Sequence, residues 1–100
     1  LSTLLEDLYD ALRKEMPDAL RLVETAAKEG NVTSLRHEVH QLTGNFDVMG
    51  ARRLALLCRT IGDAVKGGRP DEAQALIAEI PAHFESFCAA VEAFMARARG

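Results

Sequence analysis

One hundred residues, 48% of them hydrophobic, are enough for one compact domain and leave no room for a second. A net charge of −3 and a pI near 5.6 argue against a nucleic-acid binder, because no basic excess exists to neutralise a run of phosphates. No apolar stretch approaches the ~20 residues of a membrane span and no basic-then-apolar leader is visible, so a soluble domain without membrane contact is expected.

The richness in Ala, Leu, Glu and Arg, with three Pro and one Tyr, favours helix over strand, because those residues lose little side-chain freedom in a helix. The first element is a long helix from about Thr3 to Lys28. Leu5, Leu8, Leu12, Ala19, Val23 and Ala26 form its apolar face, with the spacing broken once at Met16. Thr3 and Glu6 have capping-box spacing, Gly30 is suited to end the helix, and Pro17 predicts a kink in its middle. Asn31 is placed to cap the second helix, in which Leu35, Val39, Leu42, Phe46 and Met49 keep the period until Gly50 stops it.

A third helix is expected from about Ala51, with Leu54, Leu57, Cys58, Ile61 and Val65 on one face, ending at Gly67-Gly68-Arg69-Pro70. The fourth starts near Pro70 and runs for about 30 residues, bent at Pro81, with Leu76, Ile77, Ile80, Phe84, Phe87, Cys88, Val91 and Met95 as its stripe. Arg97 and Arg99 suit the negative end of its dipole. Short connections allow only antiparallel neighbours, so the expected fold is an all-α, up-and-down four-helix bundle spanning residues 1–100 as a single domain. Four helices in one chain need no second copy to close the core, so a monomer is expected. Cys58 and Cys88 fall within the stripes without metal-ligand spacing and read as buried free thiols of a reducing cytoplasm. A chain opening on Leu1 is expected to be a piece of a longer protein.

At about 100° per residue, His40 lies about 140° and Gly44 about 180° from the centre of the second helix's stripe. Both face solvent, beside Arg36, His37, Thr43 and Asp47. Glycine inside a helix costs about 1 kcal/mol against alanine, so its place one turn after an exposed histidine asks for a reason other than stability. Close approach of another molecule to the imidazole is that reason. His37 is a rival, but Gln41 rather than glycine follows it one turn later, and it reads as surface. His83 borders the fourth stripe and reads as partly packed. His37, His40 and Asp47, scattered along one helix face, cannot enclose an ion, so no metal site is expected.

The run His40-Gln41-Leu42-Thr43-Gly44, continued by Met49-Gly50-Ala51, Leu54 and Leu57-Cys58, resembles the signature of histidine-containing phosphotransfer (HPt) domains. That signature reads His-x-x-Lys-Gly followed by a hydrophobe, Gly and a small residue. The resemblance covers essentially the whole chain. It implies that His40 accepts a phosphoryl group from a receiver-domain aspartate and passes it to another, that Gly44 opens the space beside it, and that Gly50 ends the helix. It also implies no kinase activity and no cofactor in this domain, with magnesium held by the receiver, and response-regulator receivers as partners. The setting it implies is cytoplasmic, either free or at the cytoplasmic end of a membrane-bound hybrid sensor kinase.

In one respect the sequence departs from the pattern: the lysine three residues after the histidine is Thr43, which offers a neutral hydrogen bond in place of a charge. Arg36, Arg52 and Arg53 are candidates to supply the missing cation, and His37, Gln41, Asp47, Arg52 and Arg53 are candidates for contact with a partner. Two other readings stand beside the carrier. One is a degenerate receiver-binding module without phosphotransfer. The other is the dimerisation and histidine segment of a sensor kinase, which would contribute two helices per chain and place an acidic residue where Gln41 stands.

Overall fold

The computed structural model describes residues 2–100, with side chains from Leu4 onward. It is all helical: α1 (Ser2–Glu29), α2 (Val32–Val48), α3 (Arg52–Lys66), α4 (Pro70–Ile77) and α5 (Ile80–Arg99). The expected fourth helix is thus two pieces. Pro81 lies in the first turn of α5 and has no N–H for the preceding turn, so the ladder breaks at Ala78 and Glu79. Both linking residues keep right-handed helical angles, and the chain bends without reversing. Together α4 and α5 form the fourth member of an antiparallel four-helix bundle. Helix α2 packs against α1 and α3, while α4 and α5 pack against α1 and α3 from the other side.

Helix α1 runs unbroken through Pro17. Its buried stripe is Tyr9, Leu12, Met16, Val23 and Ala26, with Leu5, Ala19 and Leu20 half-buried. Two expectations are corrected here: Met16 continues the stripe, and Tyr9 replaces Leu8, which is exposed. Positions 5, 9, 12, 16, 19 and 23 keep the alternating four- and three-residue spacing of a helical face, from which position 8 drifts away. The Thr3 cap lies outside the described side chains.

The other stripes follow the periodicity closely. Leu35, Val39, Leu42 and Phe46 are buried on α2, and Met49 is half-buried just beyond it. On α3, Leu54, Cys58, Ile61 and Val65 are joined in the core by Ala55 and Ala64, while Leu57 is half-buried. Ile77, Ile80, Phe84, Cys88 and Met95 bury from the fourth member. Phe46 and Phe84 meet across the core with ring centroids 6.4 Å apart. Burial of an aromatic ring is worth several kcal/mol, which makes this contact a main tie between α2 and α5. No polar or charged side chain is buried among the described residues. Cys58 and Cys88 are buried free thiols, as the sequence led one to expect.

Candidate functional site

The site begins at the start of α2. Asn31 accepts the Ser34 amide N–H on its Oδ1 at 3.1 Å, fixing where the helix begins. The helix ends in a Schellman motif: the Gly50 N–H donates to the Asp47 carbonyl at 3.1 Å and the Ala51 N–H to the Phe46 carbonyl at 2.8 Å. Gly50 adopts φ +71, which a side chain would strain. Between these two ends the helix phase is set by its four buried residues, and His40 is consequently exposed.

His40 stands in an open groove between α2 and α3. From α2 the groove is lined by Arg36, His37, His40, Thr43, Gly44 and Asp47 among others. Across it, α3 contributes Arg59, Gly62, Asp63 and Lys66, with the buried Cys58 beneath. A Cβ built on Gly44 would meet nothing within 4 Å. The chain's own packing therefore gives no reason for glycine there, and the free space opens outward beside the ring. On α3, a Cβ on Gly62 would lie 4.0 Å from Val39 Cγ1, an ordinary contact.

That contact also sets the register. A side chain at Gly62 would reach Val39, so with α2 and α3 antiparallel Arg59 comes roughly level with Leu42, and it lines the same groove as Thr43. The Thr43 hydroxyl donates to the Val39 carbonyl at 2.9 Å, so it is turned onto its own helix. Arg59 Nη2 donates to Asp47 Oδ2 at 2.6 Å along the groove's edge. Burial pushes the Cys58 thiol up to about 12, which keeps it protonated and unreactive under the groove.

Of the residues the sequence singled out, the groove brings together His40, Gly44, Thr43, Arg36, His37 and Asp47. Gly50 ends the helix below it. Gln41 is exposed but not part of the lining. Arg52 and Arg53 are exposed in the first turn of α3 and also lie outside the lining. At 1.5 Å per residue, Arg52 falls roughly 13 Å from His40 along the bundle. The sequence reading missed Arg59, Gly62 and Lys66, whose only local signals were a second interior glycine and basic residues off the apolar face of α3. His83 is half-buried near Glu79, far along the chain from the groove.

The four-helix bundle thus displays His40 in an open groove, with Gly44 one turn on. The chain matches the Hpt domain family over residues 7–99 and belongs to it. Its general role is that of a phosphotransfer carrier module of two-component signalling, not a kinase, working with receiver domains. No curated protein and no solved structure matches it. No helix among the described residues is long and apolar enough to cross a membrane.

Proposed function

We propose that His40 is the phosphoryl-accepting residue and that this chain relays the group between the aspartates of two receiver domains. A ring nitrogen of His40 gives its lone pair to phosphorus, the P–O bond to the donor aspartate breaks, and its electron pair stays on the carboxylate. The ring keeps its other N–H, so no proton has to leave. Transfer onward reverses these steps on the second receiver. The chain brings no cofactor to the reaction; magnesium belongs to the receiver.

The observation that carries this reading is the combination at His40: an exposed imidazole with Gly44 one turn away, whose missing Cβ leaves open space and fills no gap of the bundle. In-line attack needs the donor phosphorus within about 3–3.5 Å of the nitrogen, which only an uncrowded ring permits. The test is incubation with phosphorylated receiver domains. Acid-labile, base-stable label on the wild type and none on His40→Gln supports the carrier; binding of receivers with no label on either sinks it in favour of a docking module.

A further inference from the structure

The groove raises a question of charge. The position three residues after His40 holds a threonine whose hydroxyl is already engaged by Val39, so α2 places no cation there. We infer that Arg59, from α3, supplies the cation to a phosphoryl group on His40, with Asp47 holding its guanidinium in reserve. The inference rests on the carrier reading.

Three observations carry it. First, Arg59 lines the same groove as His40, Thr43 and Gly44. Second, the register puts Arg59 roughly level with Leu42, about 3 Å along the bundle from His40's level, whereas Lys66, the other α3 cation in the groove, is about 7–8 Å away along the same axis. Of the two α3 cations in the groove, Arg59 is thus the one rooted nearest the height of the imidazole, at about the level where a charge at position 43 would stand. Third, its guanidinium is drawn away from His40 toward Asp47, at 2.6 Å, in a pair whose side chains are both about half exposed, 54% and 48%.

An exposed pair of this kind is weakly held, typically by under about 1 kcal/mol. A phosphoryl group carries up to two negative charges and three acceptor oxygens, and the planar guanidinium donates to two of them at once. The dianion therefore outcompetes the single carboxylate. When His40 is phosphorylated, Arg59 leaves Asp47 and turns to the phosphoryl oxygens; when the group departs, it returns. The same contact, made while phosphorus is in transit, offsets the charge spread over the equatorial oxygens.

The test uses the whole chain phosphorylated with phosphoramidate, a small donor that needs no receiver, and follows the phosphohistidine by 31P NMR. In Arg59→Ala the second ionisation of the phosphoryl group shifts upward by about half a unit or more, since a nearby cation favours the dianion. Phosphoryl uptake slows about tenfold, the loss of one charge-assisted contact. Arg59→Ala combined with Thr43→Lys restores both, which a merely structural role for Arg59 would not allow. Asp47→Asn shifts the ionisation the other way by freeing the guanidinium. An Arg59→Ala protein that titrates and takes up phosphoryl like the wild type overturns the inference while leaving His40 as the acceptor. A wild type that takes up no more label than His40→Gln overturns the carrier reading, and this inference with it.

Discussion

Two faces of the bundle are joined in opposite ways. Where α1 meets α5, the helices are cross-linked along their length: Arg13 pairs with Glu85 at 3.5 Å, the Tyr9 hydroxyl donates to the Glu92 carboxylate, and Arg99 donates to Glu6 at 2.7 and 3.2 Å. Where α2 meets α3, the Asp47–Arg59 pair is the only side-chain hydrogen bond or ion pair across the boundary among the described residues, and two interior glycines hollow the surface. One face is fastened by polar ties at its surface; the other, although the more extensively packed pair, is left open at its surface. The face proposed to carry function is the one where favourable local choices are set aside, and substitutions ranked by effect test that contrast.

The largest effect comes from removing what the two faces share. Phe46 is fully buried on α2 and meets Phe84 on α5, so Phe46→Ala opens a cavity between the open face and the fastened one. A loss of about 3–5 kcal/mol is expected, measured as a lower urea midpoint at unchanged slope. A loss under about 1 kcal/mol would mean that α2 is not anchored through this ring and that its face owes its position to something else.

Alkaline pH separates the faces through one buried acid on each. Cys58 lies under the groove with its thiol pushed up to about 12 from an ordinary 9.0, by burial. Tyr9 lies under the α1–α5 contacts and is raised from its ordinary 10.0, by burial first and then by its hydrogen bond to Glu92. Both are neutral when protonated, so the native state holds protons that the unfolded chain gives up. The Cys58 contribution is fully present below pH 9 and is lost as pH rises through the window toward 12. By pH 10.5 the loss amounts to about 2 kcal/mol. Urea midpoints at pH 7.5 and 10.5 should fall less steeply in Cys58→Ala than in the wild type, and Tyr9→Phe should remove a further part of the decline. Parallel slopes in all three proteins would count against this assignment.

The glycines come next. Gly44→Ala adds a methyl to open space and Gly62→Ala adds one at ordinary contact distance, so each should stabilise the chain by about 1 kcal/mol. That corresponds to a rise in Tm of roughly 4–8 °C for a chain of this size. Gly44→Ala should at the same time slow phosphoryl uptake from a receiver. A variant more stable than the wild type yet poorer at transfer would show directly that the open face is kept open at the expense of stability. Unchanged transfer would assign the glycine no role in access.

How much of this was legible in the sequence follows from the range of the forces involved. The phase of α2, its Asn31 cap, its end at Gly50 and the exposure of His40 and Gly44 are set within one helix, and the local pattern carries them. The far wall of the groove is not local. Arg59 and Gly62 reach His40's side only through the α2–α3 register, which depends on how two stripes interlock and leaves no periodic trace in either. Arg52 and Arg53 stand closer to His40 in the chain, but the turn at Gly50 carries them to the end of the bundle. Tyr9 taking the core position expected of Leu8 is the same lesson on a smaller scale: greater hydrophobicity yields to helical phase, and the ring's hydroxyl finds Glu92 at the boundary.

The smallest expected effect on stability draws the sharpest line between the faces. Arg99→Ala breaks the Glu6 contact on the fastened face, and Asp47→Asn breaks the Arg59 contact on the open one. Arg99, Arg59 and Asp47 are each about half exposed or more and Glu6 about a third, so each substitution should cost only about 0.2–1 kcal/mol and less in 0.5 M salt. By denaturation the two variants should be hard to tell apart. They differ in what the freed group does next: the loss of Arg99 leaves Glu6 in water, whereas the Asp47 substitution leaves a guanidinium loose in the groove that holds His40. Only Asp47→Asn should therefore alter the 31P titration of the phosphorylated chain. If Arg99→Ala alters it as much, the effect is one of overall charge and the distinction between the faces fails at this point.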